Sequence, residues 1–378
     1  MSFPVDRLVI TPDAIDISKS PLAGTIEAET RVLGAFNPGL TVLPSGNLLL
    51  MVRVAEGLKK PIHGGKVHAI RWDADAGYTL DAWPLELADT ADPRRFVLHS
   101  AGWKVVVPTS LSWLLPVELS ADGLDVVAIH YDKTIAPEGS WQSFGIEDPR
   151  ISRIEGRYWM TTGSVSPERQ SVTLYMSENG LDWDFQGIVL DHQNTDMALF
   201  EGLIDGKYWA QTRPLGESWY AYSPDCEYRP GPSINLAASP DALHWQPCLH
   251  PGIRPHAFTK DTARIGGGTP PIMTEIAGQR GWLTLWHGAE PHGLVGIYRT
   301  YWSLLHPERP WECIATQHPP LMEPNPDLTR PLDDSAILSG IVFTTGIVER
   351  EDHFIVASGE AELACRITHL PKDAFKPA

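Results

Sequence analysis

Leu40-Thr-Val-Leu-Pro-Ser-Gly-Asn-Leu-Leu-Leu-Met-Val-Arg53 decides the fold. An apolar run meets a Pro-Ser-Gly-Asn turn and resumes as a second apolar run that ends on a charge. Two β-prone runs joined by such a turn read as a β-hairpin, with glycine supplying the positive φ of a tight turn. Four further stretches repeat the design: Ile151-Ser-Arg-Ile-Glu-Gly-Arg-Tyr-Trp-Met-Thr-Thr162, Leu203-Ile-Asp-Gly-Lys-Tyr-Trp-Ala-Gln-Thr-Arg213, Ile272-Met-Thr-Glu-Ile-Ala-Gly-Gln-Arg-Gly-Trp-Leu-Thr-Leu-Trp-His287 and Ile347-Val-Glu-Arg-Glu-Asp-His-Phe-Ile-Val-Ala-Ser358. A second element, Ser177-Glu-Asn-Gly-Leu-Asp-Trp183, recurs as Ser239-Pro-Asp-Ala-Leu-His-Trp245 and reads as a turn between outer strands.

Five hairpins in 378 residues allow about 75 residues each, more than the ~40–50 of a propeller blade. The excess is expected as long loops, chiefly between Glu56 and Tyr131. The expectation is an all-β, five-bladed β-propeller forming one domain over residues 1–378, with short edges only. A pair of β-sandwiches is the rival. It leaves unexplained the similar polar ends of the second strands in repeats one, three and four.

Composition agrees. Gly 32 and Pro 33 make up about 17% of the chain, against ~12% on average, which disfavours long helices. A hydrophobic content of 43% is ample for a core. The net charge of −17 argues against a nucleic-acid partner. Cys226, Cys248, Cys313 and Cys365 never form a C-x-x-C pair, so a zinc ribbon is not expected, nor any metal site. The apolar stretch from Val105 to Val117 is broken by Pro108 and Pro116, too short to cross a bilayer. Met1 to Ile10 lacks a basic start followed by an apolar run. A cytoplasmic protein without a membrane partner is expected.

In a propeller the hairpin ends meet at one central pocket. The polar residues at those ends are Arg53 and Glu56, Glu147 and Asp148, Asp196 and Glu201, Arg213, His287 and Glu290, and Glu360 and Glu362. Gly145-Ile-Glu-Asp-Pro-Arg150 is the sharpest segment: Pro149 forces Asp148 out of the α region, and Glu147 and Arg150 flank it. A carboxylate so fixed suits general acid work, and a salt-bridged turn is the plain alternative. Trp141, Trp219 and Tyr220 lie outside the hairpins and could stack on sugar faces. Gly266-Gly-Gly268 runs into Thr-Pro-Pro, so it cannot open a phosphate-binding helix, and no nucleotide-binding motif is present.

Gly145-Ile-Glu-Asp-Pro-Arg-Ile151 resembles the hallmark of glycoside hydrolase family 130, the β-mannoside phosphorylases and hydrolases. Asn37-Pro-Gly with Leu49 to Val54, Asp196-Met-Ala-Leu-Phe200 with Gly206-Lys-Tyr and Arg213-Pro214, Gly267-Gly-Thr-Pro-Pro-Ile272 with Trp286-His-Gly288, and Val342-Phe-Thr-Thr-Gly346 follow the same family in order. The resemblance implies a five-bladed propeller, inversion at the anomeric carbon, no cofactor, and Asp148 as proton donor. It implies Arg53, Arg213 and His287 at positions resembling the family's phosphate-binding cluster. Glu56, Glu147, Arg150 and Asp196, from their place at the hairpin ends, are further substrate-binding candidates, with Trp141. Where the family carries a lysine this chain has Thr195, and its Phe-Pro-Glu is here Phe200-Glu201-Gly202.

Phosphate carries about −1.5 to −2 charges near pH 7 and needs several cations. With the lysine gone, the expectation is an inverting glycosidase that cleaves a β-linked mannoside with water, using Glu201, Glu290 or Glu56 as base about 6.5–9.5 Å from the acid. The alternative is a β-mannoside phosphorylase with inorganic phosphate as a second partner of the oligosaccharide. A propeller that binds carbohydrate without catalysis is the second alternative.

Overall fold

The computed structural model describes residues 3–100, 103–216, 220–226, 231–250, 252–254, 264–317, 319–332 and 338–376. The fold is all-β, and its principal strands form five antiparallel meanders. The first is Thr30–Val42, Leu48–Leu58, Ser110–Leu119 and Val126–Ile129, and the second is Gly145–Ile154, Arg157–Val165, Gln170–Ser177 and Asp184–Leu190. One parallel pair, Ser112 with Gly145, joins them. The third is Asn194–Leu199, Tyr208–Pro214, Asn235–Ser239 and Gln246–Pro247. In the fourth, Arg264–Gly267 and Ile272–Ile276 share the edge of Gln279–Glu290, followed by Ile297–Leu305 and Cys313–Thr316. The fifth takes Val342–Glu349, His353–Glu360 and Ala364–Pro371, and its last strand is Val5–Ile10 from the other end of the chain.

The turns form as their residues dictate. Glu155-Gly156, Asp205-Gly206 and Ala277-Gly278 each place two successive residues at positive φ, the requirement of a two-residue hairpin whose twist matches its strands. The turn of the fifth hairpin has no glycine and is closed by the Arg350 N–H donating to the His353 carbonyl.

Strand alternation explains the packing. Leu48, Leu50, Val52 and Val54 point one way, into a cluster with Ile355 and Ile367 of the fifth sheet. Leu49 and Met51 point the other way, onto Ile146, Ile151 and Met160 of the second. Ile154 and Trp159 meet Met197 and Leu199, Phe200 meets Trp282, and Leu283 and Trp302 meet Phe354 and Val356. Each sheet thus packs on the next in chain order, and the fifth packs on the first. Trp183 and Trp245, from the two matching turns, pack at the first–second and second–third contacts.

The two chain ends are clasped by charge. Arg366, 2% exposed, donates from Nε and Nη2 to Asp6 at 2.6 and 2.9 Å and from Nη1 to Glu360 at 2.8 Å.

The long connection after the second strand differs from the expectation of loops. Residues 59–109 hold two small sheets, Ile62–His63 with Lys66–Asp73 and Gly77–Pro84, and Ala88–Asp89 with Arg95–Ser100 and Trp103–Pro108. Val67, Ala69, Phe96, Leu98 and Val107 give them a core of their own, which is why they are strands and not loops.

Candidate active site

Three of the five first strands are broken at one place in the same way. The ladder skips between Phe36 and Gly39, between Glu147 and Arg150, and between Thr195 and Ala198. Each break puts one residue in the left-handed region: Asn37 at φ 47°, Asp148 at 49° and Asp196 at 56°. Asn and Asp tolerate that region better than other side chains, and a bulge re-aims a side chain out of the strand's alternation. All three line one cavity of about 480 Å³.

Arg53 organises one side of it. Its Nη1 donates to Asp148 Oδ1 at 2.9 Å, its Nη2 to Glu147 Oε1 at 2.7 Å, and its Nε to Ser112 Oγ at 3.0 Å. Asn37 Nδ2 donates to the same Asp148 Oδ1 at 2.9 Å. Burial pushes Asp148 up, but Arg53, Arg150 and Asn37 outweigh it and hold its carboxyl below the usual range. Burial wins at Glu147 and at Glu362, another lining carboxylate, and raises both. Glu362 leaves a turn in which both it and Ala361 are left-handed, and Arg94, held by Asp92, approaches it to 4.0 Å.

The other side gathers around Asp196. Arg213 Nε lies 2.8 Å from Asp196 Oδ2, and Arg213 donates from Nε and Nη2 to Thr195 Oγ1 at 3.1 and 2.6 Å. Arg150, 1% exposed, donates to the Gly268 and Asp148 carbonyls and brings Nη2 to 3.5 Å from Asp196 Oδ1. His287 Nε2 is 3.7 Å from Asp196 Oδ2. Arg264 donates to Tyr298 Oη and lines the same cavity. Burial raises Asp196. Burial, with Arg213, Arg150 and Arg264 close by, drives His287 well below its ordinary value, so it is a neutral imidazole at pH 7. Arg150 Nη2 and both His287 ring nitrogens have no hydrogen-bond partner among the described residues. Buried polar groups left in that condition mark a place where a polar ligand belongs.

The structure therefore brings Arg53, Glu147, Asp148, Asp196, Arg213 and His287 to one cavity, with Arg150 beneath it. Four expected residues go elsewhere. Glu56 is three positions from Arg53, so it faces away, fully buried, and accepts from Ser20 Oγ, Thr30 Oγ1 and Trp113 Nε1. Glu290 is likewise three from His287 and pairs with Arg299 at 3.0 Å. Glu201 accepts from the Arg153 N–H at 3.1 Å, and burial pushes it up to about 7. None of the three lines the cavity, so none is placed to activate a water there. Trp141 stacks on Phe185 and is not a cavity wall. Tyr220 is 92% exposed, and Trp219 lies outside the described residues.

Sequence reasoning missed Arg264, Tyr298 and Arg94. Arg264 had a usable signal, two residues ahead of Gly266, on the strand that pairs with the His287 strand. Arg94 comes from the inserted sheets and had none.

Residues 104–374 match the family model of glycoside hydrolase family 130, described as β-1,4-mannooligosaccharide phosphorylase. The chain belongs to glycoside hydrolase family 130. Among family 130 relatives, a 1,2-β-oligomannan phosphorylase of Thermoanaerobacter sp. is 30% identical over 68% of this chain and 78% of its own. A β-1,2-mannobiose phosphorylase of Listeria innocua is 29% identical over 88% of this chain and 87% of its own. The structure of the Listeria innocua β-1,2-mannobiose phosphorylase in complex with β-1,2-mannobiose superposes with a TM-score of 0.77 at 26% identity, covering 97% of this chain and 95% of that one. Membership of family 130 makes the chain an enzyme of the glycoside phosphorylase and hydrolase class, so the non-catalytic alternative falls.

The water nucleophile expected from the sequence is overturned by these matches, which run to phosphorylases. The physical error was in counting cations. Thr195 carries no charge, but Arg264 and Arg150 stand around the same carboxylate as Arg213. Of the described helices, none is long and apolar enough to cross a membrane.

Proposed function

We propose that this enzyme is an inverting phosphorylase of short β-mannosides, acting on a β-1,2-linked mannobiose-type substrate. The observation that carries the proposal is the set of three guanidinium groups gathered about Asp196, with Arg213 and Arg264 lining the cavity that holds Asp148 and Arg150 buried beneath it. Three guanidinium charges less one carboxylate leave two positive charges, which match a phosphate dianion, while neutral His287 offers a ring nitrogen without adding charge. The β-1,2 linkage is favoured because relatives named for it align with most of this chain.

In this reading Asp148 Oδ1 is occupied by Asn37 and Arg53, so the acid proton sits on Oδ2. The proton goes to the glycosidic oxygen as phosphate attacks the anomeric carbon from the opposite face, and the anomeric configuration inverts. Arg53 keeps Asp148 ionised in the free enzyme. Two negative charges arriving beside Arg150 weaken that hold, so the acid is loaded when the nucleophile is bound.

We propose further that residues 1–378 form one domain, a five-bladed propeller. The cyclic order of packing and the pairing of Val5–Ile10 with Ala364–Pro371 support it. The functional test is incubation with β-1,2- and β-1,4-mannobiose, with and without phosphate, followed by proton NMR. α-Mannose 1-phosphate from the β-1,2 substrate is expected. Free mannose formed at the same rate without phosphate sinks the reading.

A further inference from the structure

A second, much smaller cavity, about 20 Å³, lies against the first. Glu147, Asp148, Thr195 and Asp196 line both, and Thr161, Thr162, Gly163, Val172 and Met197 complete the small one. It lies where two first strands bulge, at 147–150 opposite Thr161–Gly163 and at 195–198 opposite Gln211–Arg213, with Thr161 Oγ1 donating to the Met197 carbonyl between them. Its size suits a single water, and its walls carry the polar partners that a buried water requires. Asp196 is 8% exposed, and its Oδ2 has an ion-pair neighbour in Arg213 but no hydrogen bond among the described residues.

A single displacement leaves a topological difficulty. Hydrogen phosphate brings one proton on a hydroxyl, and the sugar 1-phosphate dianion leaves without it. Asp148 loses one proton to the leaving sugar in each turnover. The two events balance, but the mannosyl ring separates phosphate from acid when the site is full. The small cavity is lined both by Asp196, beside the arginines, and by Asp148, beside Arg53.

We infer that one buried water in this cavity returns the phosphate's proton to the acid. The phosphate O–H bond breaks toward the Asp196 carboxylate, that proton passes to the water, and the water gives one of its own to Asp148 Oδ2. No proton is exchanged with bulk solvent over a cycle. The inference rests on the phosphorolytic reading above.

Gly163 gives the test. A methyl built there meets only Glu147 Cβ and the Glu147 carbonyl oxygen, both at 3.7 Å, an ordinary contact. Gly163→Ala therefore takes up the cavity without a clash. With the water displaced, kcat should fall at least ~10-fold in phosphorolysis, with KM for phosphate and mannobiose unchanged. A small buffer acid such as formic acid or imidazolium should restore kcat in proportion to its concentration. Gly163→Ser, whose hydroxyl can stand in for the water, should keep more of the wild-type rate than the alanine variant. An alanine variant that turns over at the wild-type rate, or one whose loss no buffer repairs, overturns the relay. If that variant does not fold, a high-resolution crystal structure of the wild type decides: a water bonded to both Asp148 and Asp196 supports the relay, and a dry cavity ends it. Wild-type enzyme that forms no sugar 1-phosphate sinks the phosphorylase reading instead, so the two failures are distinct.

Discussion

Arg53 holds Glu147 and Asp148 with the two arms of one guanidinium, 2.7 Å to the first and 2.9 Å to the second. Two neighbouring carboxylates then share one countercharge, both are buried, and their other partners set them apart. The lower-lying partner is Asp148, which also has Asn37 and Arg150. Glu147 has Arg53 alone against its burial.

Asp148→Asn isolates the acid from the scaffold. Asparagine tolerates the left-handed φ of 49° as well as aspartate does, so the bulge should survive. Turnover should fall by at least ~10², the usual share of general acid catalysis, with mannobiose binding kept in calorimetry. A variant retaining most of its turnover makes Asp148 a structural turn residue.

Arg264→Ala addresses a cavity-lining cation in the arginine cluster. Removing one partner of a desolvated charge cluster costs about 2–5 kcal/mol. KM for phosphate should rise roughly thirty-fold or more while KM for mannobiose holds. An unchanged phosphate KM would remove Arg264 from the nucleophile site.

Glu201 yields a prediction about stability, with its sign set by linkage. Its folded pKa, about 7, is above its unfolded value, so its contribution is complete below about pH 4.5 and is lost as pH rises through 7. Glu201→Gln cannot ionise. The variant should therefore melt higher than wild type at pH 8, by ~2–4 °C per kcal/mol relieved, and nearly level with it at pH 5. Activity should be unaffected, because Glu201 lies off the cavity. Equal melting points at pH 8 refute the shift.

Asp6→Ala tests the clasp between the chain ends. It leaves Arg366 buried with half its partners, a change that costs about 3–5 kcal/mol. Chemical denaturation should show a lower midpoint with an unchanged slope. A midpoint within error of wild type would make the clasp energetically idle.

The hairpins were legible because period-two alternation and turn chemistry are local: Asp205-Gly206 and Glu155-Gly156 announce themselves within a dozen residues. The place of Asp148 at the cavity was legible because proline and two charges flank it. Glu56 and Glu290 were kept from the cavity by parity. Charges three apart on one strand, as Arg53 and Glu56 or His287 and Glu290, cannot share a face, and only the register says which one turns inward. Arg264 and Arg94 escaped for a different reason. Their place at the cavity depends on pairing and on an inserted pair of sheets, which are long-range facts that no local pattern encodes.

Gly266 stands where Asp196 and His287 come together. Any Cβ at that position would lie 2.4 Å from Asp196 Oδ2 and equally near the imidazole. Its backbone is not in the left-handed region, so the constraint comes from the neighbouring side chains and not from the chain's own torsions. A single codon thereby acts as a gauge of the nucleophile. In any related sequence where position 266 carries a side chain, the aspartate or the imidazole must have withdrawn, and with it the pairing that gathers the arginines. Such a sequence should have changed what attacks the sugar, even if every arginine is still present.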